Sequence, residues 1–290
     1  MEVNELLKKV RKIDIKSRRR SDQSFSGDYH TKFKGRGMSF AEVREYQYSD
    51  DVKHIDWNVT ARTGVPYVKV FEEERELTVM LIVDVSKSAF FGSKDQLKSE
   101  LITEVSAVLA YSAIRNNDKV GLILFSDKIE KFIPPAKSRD QTLKIIRELV
   151  DFEPHSRSTN IAAGLDFLNH IIKRRCICFL ISDFQDEGYI KPIRIAARKN
   201  DLIAIQVSDP AEKILPHGSV FKAIDPETGY EQWIDSNDPA FRKAYTDWYV
   251  NHEQILKKTL GKHNVSLINL STDSSYVKPL ISFFKERRVG

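Results

Sequence analysis

LTVMLIVDVSKS is the sequence of residues 77–88, and this stretch decides the predicted fold. Residues 77–83 form an apolar run rich in β-branched side chains, which is typical of a strand buried on both faces of a parallel sheet. Asp84 is the first polar residue after the run, and Ser86 and Ser88 follow at alternate positions. Beyond the next turn, apolar residues recur at helical spacing. The stretch therefore predicts a strand, a polar loop and a helix.

Apolar strand patterns alternate with helical patterns along the rest of the chain. Further core strands are predicted at residues 119–125, 176–182, 201–207 and 265–270. Residues 129–133 form a short strand pattern that ends at Pro134, too close to its predecessor for a crossover helix. It should pair antiparallel at the sheet edge. The order predicts an α/β fold with a doubly wound, mostly parallel sheet and one antiparallel edge strand.

Composition indicates a globular protein of the cytoplasm. The chain has 290 residues, of which 41% are hydrophobic and 30% charged, which is enough for a sizeable core. It contains no apolar run of about 18 residues and no apolar N-terminal segment, so neither a membrane span nor a signal peptide is predicted. Cys176 and Cys178 alternate within one predicted strand, which favours core packing over a disulfide and fits a reducing compartment.

The net charge of +5 belongs to the N-terminal segment. Residues 1–36 hold 11 Lys and Arg against 5 Asp and Glu, so the remaining chain is almost neutral. Residues 2–20 have a helical pattern that ends in the basic run 18–20. Such a run can contact nucleic acid or anionic lipid, but no aromatic residue interleaves with it. A solvated helix end is favoured, and no nucleic-acid partner is expected.

The carboxylate and hydroxyls after the first core strand indicate a metal site. In open α/β sheets the ligand crevice lies at the carboxyl ends of the strands, and Asp84, Ser86 and Ser88 occupy that position. Oxygen ligands of this kind suit a hard divalent cation such as Mg²⁺. We expect Ser86 to be a hydroxyl at the rim, whose loss leaves the fold intact. The alternative is that Ser86, Ser88 and Thr159, from a later loop, only cap helices and that Asp84 stabilises its turn.

The spacing Asp-x-Ser-x-Ser after a buried strand resembles the metal-ion-dependent adhesion site (MIDAS) of von Willebrand factor A domains. Those domains add a threonine and a second aspartate from later loops, and Thr159 and Asp183 match them here. The resemblance implies that Ser86, Ser88 and Thr159 contact Mg²⁺ or Mn²⁺, while Asp84 and Asp183 act directly or through water. Affinity for the free ion is expected to be weak, so that a crystal without ligand can show the site empty.

Residues 44–62 resemble the signature of the DUF58 family. The matching groups are Arg44-Glu45-Tyr46, Asp50-Asp51, Ile55-Asp56-Trp57 and Thr60-Ala61-Arg62; the family usually has Gly where this chain has Ser49 and Arg where it has Lys53. The resemblance implies a bacterial protein with an N-terminal extension, residues 1–76, and a von Willebrand A-like domain, residues 77–290. It also implies a MoxR-type AAA+ ATPase as partner. The signature serves a buried salt-bridge network that locks this stretch onto the sheet domain, or a partner surface formed by Arg44, Glu45, Tyr46, Asp51, Trp57 and Arg62. The two roles can coexist.

The sequence favours a binding module over an enzyme. It contains no P-loop, no Gly-x-Gly-x-x-Gly motif and no Gly-x-Ser-x-Gly elbow, and Ser86 stands where a haloacid-dehalogenase-like phosphatase has its second aspartate. We therefore expect a non-enzymatic adaptor or chaperone-like protein that binds the ATPase and a client. The alternatives are a metal-dependent hydrolase using Asp84 and Asp183, and a nucleic-acid or membrane-surface binder through the basic segment. The insertion 208–237 is either partner surface or a passive loop.

Overall fold

The computed structural model describes residues 39–48, 50–72, 77–93, 96–153, 155–215, 218 and 220–289. These residues form two compact units, residues 39–72 and residues 77–289. The helix predicted at residues 2–20 and the basic segment 1–36 lie outside the described residues. The predicted extents of the two domains, 1–76 and 77–290, stay predictions.

The smaller unit is a two-stranded antiparallel sheet with a short helix. Strand β1 (Ser39–Glu45) pairs with β2 (Tyr67–Glu72), and helix α1 (Trp57–Thr63) lies between them in the chain. Asp56 caps α1 by accepting hydrogen bonds from the N–H groups of Asn58 (3.0 Å) and Val59 (3.3 Å). Gly64 ends the helix with a left-handed φ of 74°, which favours glycine. Residues 37–62 show no clean period, so β1 is not predicted from the sequence.

The larger unit alternates strands and helices, as its sequence patterns predict. In chain order its elements are β3 (Thr78–Asp84), α2 (Lys98–Arg115), β4 (Lys119–Phe125), β5 (Ile129–Ala136), α3 (Arg139–Asp151), α4 (Ile161–Ile171), β6 (Ile177–Ser182), α5 (Ile190–Lys199), β7 (Asp201–Ser208), α6 (Pro210–Lys213), β8 (Val220–Ile224), β9 (Glu231–Asp235), α7 (Pro239–Lys262), β10 (Ser266–Ser271) and α8 (Val277–Val289).

Six of these strands form one sheet in the order β10-β7-β6-β3-β4-β5. Neighbours pair in parallel except β4 and β5, which are antiparallel. Residues 80–83 of the central strand β3 have 0% exposure, and successive side chains of a strand point to opposite faces, so both faces are covered. Strands β8 and β9 form a separate hairpin. The predicted fold class is confirmed.

Strand β5 is longer than predicted, because it continues through Pro134 and Pro135 to Ala136. Prolines are tolerated there since β5 is the edge strand of the sheet, with no strand of the described residues on its outer side. The register with β4 shifts between Val120 and Leu122, so that the β5 backbone approaches Gly121 closely. A Cβ at Gly121 would lie only 2.9 Å from the Pro135 nitrogen, which explains the glycine.

Cys176 and Cys178 are both buried free thiols, as core packing predicts. Their sulfurs are 3.3 Å apart, and the Cys176 thiol also contacts Asn200 Oδ1 at 3.3 Å. Within the described part of the chain, no helix combines the length and apolar character needed to cross a bilayer.

Candidate functional site

Asp84 ends β3 at the carboxyl edge of the sheet, and its carboxylate is buried. Oδ1 accepts a hydrogen bond from the Ser86 N–H (2.9 Å), and Oδ2 accepts one from the Ser182 hydroxyl (2.7 Å). Burial, followed by the negative charge of Asp183, raises the pKa of Asp84 to about 7. The two carboxylates therefore lie close enough to repel each other.

The turn after Asp84 brings the two predicted serines together. Ser86 Oγ and Ser88 Oγ are 3.1 Å apart, at the start of a 3₁₀ turn (Lys87–Phe90). Ser88 is half-buried, but Ser86 has 0% exposure. The expectation of a rim hydroxyl is therefore wrong for Ser86, because the turn folds back over it and the Ala89 N–H donates to its carbonyl (3.1 Å).

Asp183 follows β6 and contacts a buried lysine. Its Oδ1 accepts from the Gln185 N–H (3.2 Å), and its Oδ2 accepts from the Lys98 ammonium (2.9 Å). Lys98, the first residue of α2, is only 1% exposed and also pairs with Glu212 at 2.5 Å. Burial lowers the pKa of Lys98, but the charges of Asp183 and Glu212 outweigh burial and raise it above its ordinary value. The lysine is thus charged and compensates Asp183.

Thr159 lies in the loop before α4, which borders the serine turn: the Lys87 N–H donates to the Arg157 carbonyl (3.1 Å). The Thr159 hydroxyl donates to Glu227 Oε1 (2.7 Å), and the Thr159 N–H donates to Glu227 Oε2 (3.2 Å). Glu227 belongs to the turn between β8 and β9, within the insertion 208–237. A carboxylate of the same chain therefore engages the predicted metal-binding threonine.

The structure connects the five predicted residues in different ways. Direct hydrogen bonds join Asp84 to Ser86 and Ser86 to Ser88, and Asp183 acts on Asp84 through its charge. Thr159 lies in the adjoining loop and bonds to Glu227. The capping alternative fails for the serine turn and α4, since Ser86 makes no side-chain cap bond and Asn160, not Thr159, caps α4. Asp84 does stabilise its turn, as that alternative states.

The donor set fits a divalent cation. Two carboxylates and three hydroxyls supply hard oxygen atoms of the type Mg²⁺ and Mn²⁺ prefer. A dication near Asp84 and Asp183 would remove their mutual repulsion. Nowhere in the described part of the chain, this edge of the sheet included, do three or more His, Cys, Asp or Glu side chains converge as metal ligands. Any cation at this edge would therefore depend on the hydroxyls of Ser86, Ser88 and Thr159.

The family match decides what kind of chain this is. The model of the family described as "Protein of unknown function DUF58" matches residues 42–255. This chain belongs to the DUF58 family. One relative is the "Uncharacterized protein Rv1480" of Mycobacterium tuberculosis, which is 27% identical over 284 residues. The match covers 97% of this chain and 89% of the relative. The resemblance stated from residues 44–62 is thus confirmed.

Solved structures agree with the fold of this DUF58 chain. An aerotolerance-related membrane protein from Bacteroides fragilis, carrying multiple mutations to serines, matches with a TM-score of 0.50 and 14% identity, covering 73% of this chain and 98% of that chain. The VWA domain of SpRpn10 matches with a TM-score of 0.37 and 13% identity, covering 72% and 94%. The predicted α/β fold, with a mostly parallel sheet and one antiparallel edge strand, agrees with the strand order given above. At these identities the likeness concerns the fold alone.

The DUF58 signature residues form contacts inside the smaller unit. Arg44 makes a bidentate ion pair with Asp50 (2.6 and 2.7 Å), and this contact, with the Gln47 N–H, holds the pKa of Asp50 below its ordinary value. Asp56 pairs with Lys69 at 3.4 Å. The first pair joins β1 to the loop that follows it, and the second joins the start of α1 to β2, which accounts for part of the signature without a partner.

The remaining signature residues have mixed roles. The Tyr46 N–H donates to the Pro66 carbonyl (2.9 Å), and Asp51 caps a 3₁₀ turn by accepting from the Lys53 N–H (3.0 Å). Glu45, Trp57 and Arg62 are solvent-accessible, and Trp57 is 67% exposed. A partner surface at Arg44, Glu45, Tyr46, Asp51, Trp57 and Arg62 stays a prediction, with Trp57 as its most exposed aromatic group.

Sequence reasoning missed four residues that shape the site: Ser182, Lys98, Glu212 and Glu227. Lys98 gave one weak signal. The positive end of the helix dipole disfavours a lysine in the first turn, so a lysine at that position indicates a compensating carboxylate nearby. Glu227 lies in a turn that is visible in the sequence, Pro226 to Gly229, but nothing in the sequence connects that turn to Thr159.

Proposed function

We propose that this DUF58 chain is a non-enzymatic protein-binding domain in which a divalent cation bridges the domain to an acidic side chain of a partner. The observation that supports the proposal is the cluster at the end of β3 and β6, where two buried carboxylates adjoin two hydroxyls in mutual contact. Lys98 compensates the charge of Asp183 but makes no bond to Asp84, so a cation beside Asp84 would stabilise the cluster by offsetting the repulsion between the two buried carboxylates.

Each residue has a role in the proposed site. Ser86, Ser88 and Thr159 would hold the cation through their hydroxyls, and Asp84 and Asp183 would do so directly or through water. Ser182 and the Ser86 N–H orient Asp84. The bound cation, Mg²⁺ or Mn²⁺, supplies positive charge and open coordination positions for a carboxylate oxygen. The remaining work of the chain is to hold these oxygens in place.

A binding role is favoured over hydrolysis by the environment of Asp84. A general base must reach the proton it removes, but Asp84 is buried and both its oxygens accept hydrogen bonds within the domain. Ser86 provides no acid or base in its place. The fold thus holds Asp84 by two hydrogen bonds, which favours a structural or cation-binding role for it over proton transfer.

We further propose that the partner is a MoxR-type AAA+ ATPase and that the domain acts as an adaptor for it. This part of the proposal rests on the family to which the chain belongs. The alternative binder of nucleic acid or membrane would use residues 1–36, which lie outside the described residues.

The proposal is tested by metal-dependent capture of the partner. The full chain is immobilised and exposed to lysate of its source organism in Mg²⁺ or in EDTA, with Asp84→Ala as the variant and Asp140→Ala, at the start of α3, as the control. In Mg²⁺ we expect wild type and the control to retain the same AAA+ ATPase. Retention should be lost in EDTA for both, and in Asp84→Ala under either condition. Equal retention by all three proteins in Mg²⁺ and in EDTA would refute the cation bridge, and turnover of phosphoesters by the purified chain would refute the non-enzymatic role.

A further inference from the structure

The turn between β8 and β9 places a single carboxylate against the candidate site. Along residues 224–230, Glu227 is half-buried while its neighbours are exposed. Both oxygens of Glu227 are engaged by Thr159, one by its hydroxyl and one by its N–H. If the Thr159 hydroxyl holds a cation, as proposed above, an incoming carboxylate would bind that cation beside Thr159. The contact therefore lies at the position a partner's carboxylate would approach.

The turn is built to present Glu227. Asp225 accepts from the Glu227 N–H (2.9 Å) and from the Thr228 hydroxyl (2.5 Å), and these bonds hold the pKa of Asp225 below its ordinary value. Gly229 has a left-handed φ of 73°, and its N–H donates to the Asp225 carbonyl (2.8 Å). Pro226 fixes the backbone before Glu227. The local bonds thus form a stiff loop with one outward-reaching carboxylate.

Basic and apolar groups around the site fit this loop. Pro226 lines a surface depression beside the serine turn, together with Lys87, Phe90, Phe91 and Glu153. The guanidinium of Arg157 lies 3.8 Å from the position that a Cβ on Gly229 would take. The cationic side chains of Lys87 and Arg157 therefore border the approach that Glu227 uses, together with one carboxylate, Glu153.

The hairpin that carries Glu227 is weakly attached to the rest of the sheet structure. Strands β8 and β9 pair with each other and with no other described strand. A two-stranded hairpin by itself is only marginally stable in water. The turn can therefore leave Thr159 without disrupting the six-stranded sheet.

We propose that Glu227 is an internal acidic ligand of this domain, which occupies the partner's position in the free protein and must be displaced when an acidic partner binds. The inference rests on the proposed function and adds a regulatory contact to it. An internal carboxylate competes at an effective concentration set by its tether, in the millimolar range for short connections. Weak external carboxylates would therefore be excluded, and only a partner with additional contacts would open the site.

The test compares wild type, Glu227→Ala and the control Glu231→Ala. Glu231 lies on the same hairpin but pairs with Lys222 of the neighbouring strand. Hydrogen exchange measures the Thr159 amide, whose N–H donates to Glu227. The probe for binding is the blocked tripeptide acetyl-Gly-Asp-Gly-amide, titrated by NMR in Mg²⁺ and in EDTA, with the Asn tripeptide as a charge control.

In Glu227→Ala alone, we expect the Thr159 amide to exchange faster and the Asp peptide to bind about tenfold more tightly. The gain in affinity follows because a competitor with a millimolar effective concentration has been removed. Both effects should be absent in Glu231→Ala, and the binding should be lost in EDTA. Equal Mg²⁺-dependent affinity of wild type and Glu227→Ala would overturn the internal ligand and leave the proposed function standing. No Mg²⁺-dependent binding by any variant would overturn the cation bridge itself, and the internal ligand with it.

Discussion

Lys98 Nζ lies 2.9 Å from Asp183 Oδ2, in a pair whose side chains are 1% and 6% exposed. The lysine also contacts Glu212, so a buried cation of the chain lies between two carboxylates beside the candidate metal site. Breaking such a pair leaves an uncompensated buried charge, which costs more than the pair contributes when intact. Lys98 therefore sets how much negative charge remains available to a cation at Asp84 and Asp183.

Lys98→Met should destabilise the metal-free protein by about 3 kcal/mol, because it leaves Asp183 and Glu212 without their cation. The measurement is urea unfolding in EDTA. Lys213→Met is the matched control, since Lys213 forms one partly exposed ion pair with Glu253 and should lose under about 1 kcal/mol. Mn²⁺ should raise the melting temperature of Lys98→Met more than that of wild type. Equal losses in the two variants would contradict the structural role of Lys98.

Asp84 should make the metal-free protein less stable as pH rises. Its pKa is about 7 in the folded chain, against an ordinary value of about 3.9. Between these values the folded state holds a proton that the unfolded state releases, so the free energy of unfolding falls with rising pH and the loss is complete above about pH 7.

Asp84→Asn removes this titration. From pH 5 to pH 8 in EDTA, wild type should lose on the order of 1–3 kcal/mol more than Asp84→Asn, as followed by urea unfolding at each pH. The comparison cancels the other titrating groups, which both chains share. Added Mn²⁺ should stabilise wild type more at pH 8 than at pH 5. Parallel pH profiles of the two chains would show that Asp84 does not titrate in this range.

Ser86→Ala should weaken Mn²⁺ binding by about tenfold or more while costing about 1 kcal/mol of folding stability, because it removes one oxygen of the cluster. Calorimetric titration with Mn²⁺ measures the affinity. Ser126→Ala is the control: Ser126 is equally buried, follows the neighbouring strand β4 and donates to Glu130 (2.6 Å), outside the five residues. Mn²⁺ affinity that falls equally in both variants, or in neither, would argue against Ser86 as a ligand.

Gly121→Ala should lower the free energy of unfolding by about 1–3 kcal/mol, because the new Cβ would lie 2.9 Å from the Ile133 carbonyl oxygen and 2.9 Å from the Pro135 nitrogen. Gly261→Ala is the control within α7, where a Cβ meets nothing within 4 Å. It should be neutral or stabilising by up to about 1 kcal/mol. Urea unfolding of both variants decides whether β4 and β5 approach as closely as described.

The parts of the molecule that sequence predicted depend on local patterns. The buried run before Asp84 identified the central strand, and the serine spacing identified its loop, because both signals lie within a few residues. Lys98 and Asp183 are 85 positions apart, and Thr159 and Glu227 are 68 apart. No periodicity connects such pairs. Strand β1 was missed for a different reason: its segment mixes charges and aromatics that serve the contacts of a small unit rather than one buried face.

The two prolines of β5 make the borders of the six-stranded sheet unequal. Pro134 and Pro135 both lie where the register with β4 shifts, between Ile133 and Ala136, and neither has a backbone N–H to donate to a further strand. A further strand from another molecule cannot complete its ladder there, which protects that border against edge-to-edge aggregation. Any extension of the sheet by another chain is therefore directed to the opposite border, formed by β10.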